Sequence, residues 1–222
     1  MLLAVDTSTA QIGLALYDES QVIAEYMWQS AQRHTMELAP AISELLARCG
    51  STVNDVRALG VALGPGSFTS LRVGLALVKG LAVARHIPLI GIPTLDILAA
   101  AQPVARHKLI CSLRAGRGRH AVVRYRGSRR GWQAESPARA VTIEALIQEI
   151  EGPTLLCGEF TTEERQVLVS ANPHIRLASP AHSVRRPAVL AELAWTRWQA
   201  GHTDDEASLA PIYLHMVEPT AA

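Results

Sequence analysis

The hydrophobic pattern opens with short apolar runs cut by polar turns. Leu2 to Val5 stops at Asp6-Thr7-Ser8-Thr9, whose side chains bond readily to nearby backbone, so a strand followed by a turn is expected. Ile12 to Tyr17 and Val22 to Trp28 are strand-like runs separated by Asp18-Glu19-Ser20-Gln21, which predicts a hairpin. From Thr35 to Cys49 the period lengthens: Leu38, Ile42, Leu45, Leu46 and Cys49 share one helical face, and Gly50 is placed to end it. Pro40 must sit in the first turns of that helix or bend them. Ala58 to Leu63 reads as a buried strand, Phe68 to His86 as a helix, Leu89 to Ile92 as a strand and Thr94 to Ala101 as a short helix.

A fainter copy of the same order follows. Leu109 to Leu113, His120 to Tyr125 and Trp132 to Glu135 read as strands, Thr142 to Ile150 as a helix, and Thr154 to Cys157 as a strand. Thr162 to Ala171 is then a helix, Ile175 to Ala178 a strand, and Pro187 to Ala200 an amphipathic helix with Leu190, Leu193, Ala194, Arg197 and Trp198 along one side. A repeated β-β-β-α-β-α unit implies two lobes, each covering a mixed sheet with helices, the α/β architecture of the actin-like (ASKHA, ribonuclease H-like) fold. The expected division is an N-terminal lobe over 1–104 and a smaller, divergent lobe over 105–222, with Gln102-Pro103 at the link.

Composition narrows the function. At 222 residues and 49% hydrophobic content the chain can bury a core, and a formal net charge of +1 gives the whole molecule no strong pull on nucleic acid or membrane. Any RNA contact must therefore be local. The three cysteines lack zinc or disulfide spacing and are expected as buried free thiols. Gly74 to Pro93, the most apolar stretch, is broken by Lys79, Arg85, His86 and Pro88 and is not a membrane span; with no leader pattern at the start, a cytoplasmic address is expected.

Chemistry concentrates in Gly64-Pro65-Gly66-Ser67-Phe68-Thr69, between a strand and a helix, followed by Leu71-Arg72-Val73-Gly74 and Lys79-Gly80-Leu81-Ala82. Glycines there permit a tight turn, and Ser67 or Thr69 can cap the helix. The alternative is an anion cradle, since free amides and the helix dipole favour phosphate. The Gly-Lys-Ser/Thr ending of a P-loop is absent.

These motifs, with Val5-Asp6-Thr7-Ser8 before them and Arg33-His34-Thr35 between, resemble the TsaB (YeaZ) family, strongly over residues 1 to about 100 and again at Pro211-Ile212-Tyr213-Leu214, where that family commonly continues with Arg and this chain has His215. The resemblance implies a non-catalytic scaffold or regulatory subunit of the bacterial machinery that attaches threonylcarbamoyl to adenosine 37 of tRNA. Its partners would be a TsaD-type transferase and a TsaE-type ATPase, with tRNA met through the complex. ATP and a metal would then belong to the partner subunits and no cofactor to this chain. Helical spacing from Phe68 to His86 sets Gly74, Val78, Leu81 and Ala82 on one face and Arg72, Ala76, Lys79 and Val83 on another. The resemblance implies that the family's first two helices dock with TsaD as a helical bundle, through that second face and through Met36, Pro40 and Ser43 on the outer side of the other helix; an ordinary solvent face is the alternative. An exposed docking face also allows a homodimer.

A second function class is an actin-like kinase or ATPase using Asp6, at the position of a magnesium-facing carboxylate, with Ser67 and Thr69 on the nucleotide. Asp6 can equally be a turn-stabilising residue. Where the family usually carries Asp-Ala-Arg and then Glu, this chain reads Arg114-Ala115-Gly116-Arg117-Gly118-Arg119, replacing a hard oxygen ligand by cations. Arg114, Arg117 and Arg119 are candidates for a tRNA or other anion contact, against the alternative of a solvated charge run. His34 and Glu37 lack the second histidine of a paired metal motif, so His34 is expected as a surface or capping residue and a protease is excluded.

Overall fold

The computed structural model describes residues 1–31 and 33–214; His215 lies outside the described residues. Strands β1 (Leu2–Asp6), β2 (Gln11–Asp18) and β3 (Gln21–Gln29) are followed by helix α1 (His34–Arg48), strand β4 (Ala58–Ala62), helix α2 (Phe68–Arg85), strand β5 (Leu89–Ile92) and helix α3 (Thr94–Ala100). The sheet order is β3-β2-β1-β4-β5. Its two central strands, β1 and β4, pair in parallel and are buried at every residue, which is why both read as continuous apolar runs.

The path then repeats. Strands β6 (Lys108–Gly116), β7 (Arg119–Ser128), β8 (Gly131–Ala134) and β9 (Arg139–Val141) lead to helix α4 (Ile143–Gln148), strand β10 (Thr154–Gly158), helix α5 (Thr162–Ala171), strand β11 (Ile175–Leu177) and helix α6 (Pro187–Gln199). This sheet runs β11-β10-β6-β7-β8, with β9 added beside β7. Matching β6 to β1, β7 to β2, β8 to β3, β10 to β4 and β11 to β5 reproduces the first sheet's order, so the duplication is topological. A capping box between Thr161 and Glu164 starts α5, and Thr142 caps α4.

The chain divides differently from a cut near residue 104. One compact unit is Met1–Ile97 with Arg185–Ile212; the other contains Leu98–Val184. The reason is α6, which packs on β1, β2, β4 and β5 and buries Leu190, Ala191 and Ala194 against Leu2, Ala4, Ala58 and Ile90 of the first sheet. After it, the Ile212 amide donates to the Leu63 carbonyl at 2.7 Å and the Gly91 amide to Asp204 at 2.7 Å, so the segment 201–212 also belongs to the first unit. Strand β9, absent from the sequence pattern, is only three residues long. Cys111 and Cys157 are buried and Cys49 half-buried, none of them in a disulfide, and the first two face each other across β6 and β10.

Candidate functional site

The end of β1 holds a closed polar cluster. The Asp6 carboxylate accepts the Ser8 amide at 2.8 Å on Oδ1 and Arg185 Nε at 2.9 Å on Oδ2. Both side chains are buried, at 2% and 1% exposure, so this is an ion pair inside the protein and not a surface one. Arg185 Nη2 also donates to Thr9 Oγ1 at 2.6 Å, and Ser8 Oγ lies 2.7 Å from Thr94 Oγ1, which accepts the Gly64 amide at 2.8 Å. A magnesium ion is held through carboxylate oxygens that must be free to turn toward it. Here the oxygens face an amide and a guanidinium of the same sign as the metal, and these residues do not fit it. Among the described residues no group of three or more His, Cys, Asp or Glu side chains is arranged to hold a metal.

The Gly64–Thr69 turn is likewise filled from within. Ser67 is the N-cap of α2, and its hydroxyl accepts from the Ser70 hydroxyl at 3.0 Å. The Ser67 amide, which an anion would need, donates to the Ser8 carbonyl at 2.7 Å. Gly66 is required because a Cβ there would lie 2.2 Å from that carbonyl oxygen. Ser67 and Thr69 line a cavity of about 510 Å³ with His34 and Thr35; Asp6 is not among its walls, so the three nucleotide candidates do not converge. His34 is buried and bonds the Thr9 carbonyl at 2.9 Å, a correction to the surface or capping role; the apolar face of α1 carries it inward.

Helices α1 and α2 lie side by side and present a half-open apolar groove. Its volume is about 610 Å³, walled by Ala39, Ile42, Ser43, Leu46 and Ala47 of α1 and Leu77, Gly80 and Leu81 of α2. Met36, Pro40 and Ser43 form an exposed stripe along α1, Met36 being 73% exposed. Pro40 lies inside the helix, where it has no amide hydrogen to give the Met36 carbonyl. On α2, Arg72, Ala76 and Val83 are exposed, with the Arg72 guanidinium 3.7 Å over the Phe68 ring. Lys79 is half-buried, 3.5 Å from the Ala207 carbonyl. Of the named contact residues only Ser43 reaches the groove; Leu77, Gly80 and Leu81 were missed. Leu81 is half-exposed.

In the second unit Arg114 and Arg117 are exposed at the β6–β7 hairpin, and Arg119 is half-buried. Ser112 Oγ lies 2.9 Å from His120 Nδ1, and His120 Nε2 3.0 Å from Glu164 Oε1. Burial, the largest influence on the Glu164 carboxyl, pushes its pKa up, but the Thr161 amide, His120 and Arg114 outweigh it and hold the group below its ordinary value. The order serine, histidine, carboxylate is that of a hydrolase, yet Ser112 is fully buried and offers no nucleophile. The chain of bonds fastens the hairpin to α5.

A family model described as TsaD, tRNA N6-adenosine threonylcarbamoyltransferase, matches residues 22–153. The tRNA threonylcarbamoyladenosine biosynthesis protein TsaB of Bacillus subtilis (strain 168) is 31% identical over 229 residues, covering 99% of this chain and 96% of that protein. The chain belongs to the TsaB family. The Escherichia coli (strain K12) TsaB is 28% identical over 164 residues, 72% of this chain and 69% of its own. Among solved structures, YeaZ from Pseudomonas aeruginosa superposes with a TM-score of 0.76 at 22% identity, covering 96% of this chain and 99% of that one. A Bacteroides thetaiotaomicron protein with actin-like ATPase fold and unknown function superposes with a TM-score of 0.50 at 12% identity, covering 86% and 95%. The duplicated topology of this TsaB-family chain is therefore the actin-like fold. No helix among the described residues is long and apolar enough to cross a membrane.

Proposed function

We propose that this chain is a non-catalytic subunit of the assembly that attaches threonylcarbamoyl to tRNA adenosine, and that it works by docking a TsaD-type transferase through α1 and α2. The observation that carries this reading is the buried Asp6–Arg185 pair: the one carboxylate at the actin-like metal position is already neutralised by the chain's own guanidinium. The α1–α2 groove supports the docking part, because its apolar walls and the Met36 stripe suit a helix from another protein. The transferase would supply the chemistry and a TsaE-type ATPase the energy of turnover. Without the transferase, the same face would pair with a second copy of this chain.

The test is gel filtration of the purified chain with a TsaD-type transferase from the same genome. Co-elution as a heterodimer at micromolar concentration is the expected result, together with transferase activity that depends on both chains. No complex under those conditions, or Mg-ATP turnover by this chain alone that Asp6→Ala abolishes, overturns the proposal.

A further inference from the structure

The net charge of +1 hides a division along the chain. Residues 98–184 hold twelve Lys and Arg against seven Asp and Glu, a balance of +5, while the rest of the chain holds nine against thirteen, a balance of −4. Between Asp96 and Glu135 there are nine Lys and Arg and no acidic residue.

Four of those nine, Arg106, Lys108, Arg126 and Arg129, line a groove of about 670 Å³ together with His107. No carboxylate lines it, and none lies within ion-pair distance of these four among the described residues. Leu109 pairs with Tyr125 across the hairpin, so Lys108 and Arg126 face each other one step beyond, at the end of the ladder. Like charges placed directly opposite destabilise a sheet. One step inward on the same face, Arg124 is answered by Glu149 at 2.6 Å. The counter-charge supplied there is withheld at the groove.

The walls are fixed by backbone and ring contacts. A Cβ on Gly127 would sit 2.7 Å from the Ala105 carbonyl oxygen, so glycine is what lets the segment carrying Arg106 and His107 close onto β7. Trp132, opposite Gly127 on β8, donates its indole N–H to the Gln102 carbonyl at 3.1 Å and lies 6.3 Å, centroid to centroid, from the His107 ring. Of this pair His107 lines the groove, and cations beside a ring held in place suit phosphates with bases attached. Arginine forks match phosphate oxygens, and aromatic faces accept unstacked bases.

We propose that this groove binds the RNA backbone, so that the chain holds part of the substrate tRNA directly and does not meet it only through its partner. This rests on the proposed role in tRNA modification for the identity of the RNA.

The test is fluorescence anisotropy of the isolated chain with a labelled, unmodified tRNA transcript across a salt series. Affinity should fall steeply with salt, each phosphate contact contributing roughly 0.7–0.9 to the log–log slope. Arg126→Glu should weaken binding at least about tenfold at near-physiological salt and flatten that slope by about two contacts, since reversal also cancels Lys108. Its Tm should stay level or rise, because Glu would face Lys108. Arg129→Glu, in the exposed turn, provides a second variant should Arg126→Glu misfold. Arg176→Glu, an equal charge change on β11 at the other edge of the sheet, should leave affinity unchanged. Equal losses from Arg126→Glu and Arg176→Glu would reduce the effect to net charge and overturn the proposal. So would Arg126-dependent binding to phosphatidylserine vesicles with none to tRNA. Gel filtration with the TsaD-type transferase separates the two readings: Arg126→Glu should still co-elute. A complex without groove-dependent tRNA binding sinks only the groove, and groove-dependent tRNA binding without a complex sinks only the docking.

Discussion

The end of β1 and the end of β6 occupy equivalent places in a path the chain runs twice, each strand pairing antiparallel with its successor and parallel with a later one. They are treated in opposite ways. At β1 an acid is kept and then consumed: Asp6 is buried against Arg185, which arrives from just before α6. At β6 the strand runs out into Arg114 and a hairpin of arginines, several of them exposed. The first unit buries the charge at this strand end and leaves an apolar groove on α1 and α2, whereas the second leaves a groove lined by Arg106, Lys108, Arg126 and Arg129 with no carboxylate in its walls. One topology thus carries a surface suited to protein and a surface suited to a polyanion. The fold dictates neither; residues at strand ends and on outer helix faces decide both.

The sharpest way to break this comparison is to remove the guanidinium and leave the acid. Arg185→Met strands a buried carboxylate, which typically costs about 3–5 kcal/mol. For a chain of this size that corresponds to a fall in Tm on the order of 10 °C by calorimetry. Replacing both members, Asp6→Leu with Arg185→Met, should recover most of the loss, since an apolar pair of similar volume needs no counter-charge. If Arg185→Met melts with the parent, the pair is dispensable, Asp6 is available for a ligand, and the contrast between the two strand ends fails.

Nearly all of the fold was legible in the sequence, because its helices and strands carry period and length enough to distinguish them. Fifteen-residue α1 and eighteen-residue α2 announce themselves by apolar spacing and by Gly50 and Ser67 at their ends. Three-residue β9 has too few positions to show alternation. The first polar cluster was half legible. Asp6-Thr7-Ser8-Thr9 reads as a turn, and the Ser8 amide on Asp6 bears that out. The partner, Arg185, lies 179 residues away and sits in Ser-Val-Arg-Arg-Pro, where nothing local distinguishes it from its exposed neighbour Arg186. The same distance problem placed α6 in the wrong unit, since amphipathicity shows that a helix has a sheet to cover but not which one. On α2, helical spacing selected Arg72, Ala76, Lys79 and Val83, but the groove wall is Leu77, Gly80 and Leu81, set by where α1 happens to lie.

That difference can be used to sharpen the docking half of the comparison. Nothing lies within 4 Å of a Cβ built on Gly80, so a side chain there enters the groove without displacing any other group. Gly80→Glu removes a helix-interior glycine, which should raise stability by roughly 0.5 kcal/mol, while placing a charge among Ile42, Leu46 and Leu81. Loss of co-elution with the TsaD-type transferase, alongside an unchanged or higher Tm, is the expected result. The double variant Arg72→Glu with Lys79→Glu should weaken association less, since neither side chain lines the groove and Lys79 is already engaged near Ala207. If the double variant is the more damaging, the partner seats on the outer stripe and the groove is incidental.

The smallest effect concerns the hairpin tip, where the second unit holds a cation in a costly conformation. Arg117 and Gly118 form the two-residue turn between β6 and β7, both with positive φ, at 51° and 67°. That is the geometry of a type I′ turn, for which Asn-Gly is preferred and a left-handed arginine unfavourable by roughly 1 kcal/mol. Arg117→Asn should therefore raise the unfolding free energy by a sizeable fraction of that amount in urea titration. Weaker tRNA binding by the same variant, by less than with Arg126→Glu, would extend the proposed RNA surface from the groove to the hairpin tip. A stabilised variant with weaker RNA binding would mean that the tip trades stability for charge, as Lys108 and Arg126 do at the other end of the same two strands. A destabilised variant would mean that Arg117 makes a contact the turn depends on, and the second unit's exposed arginines would then have to be weighed as structure before they are weighed as surface.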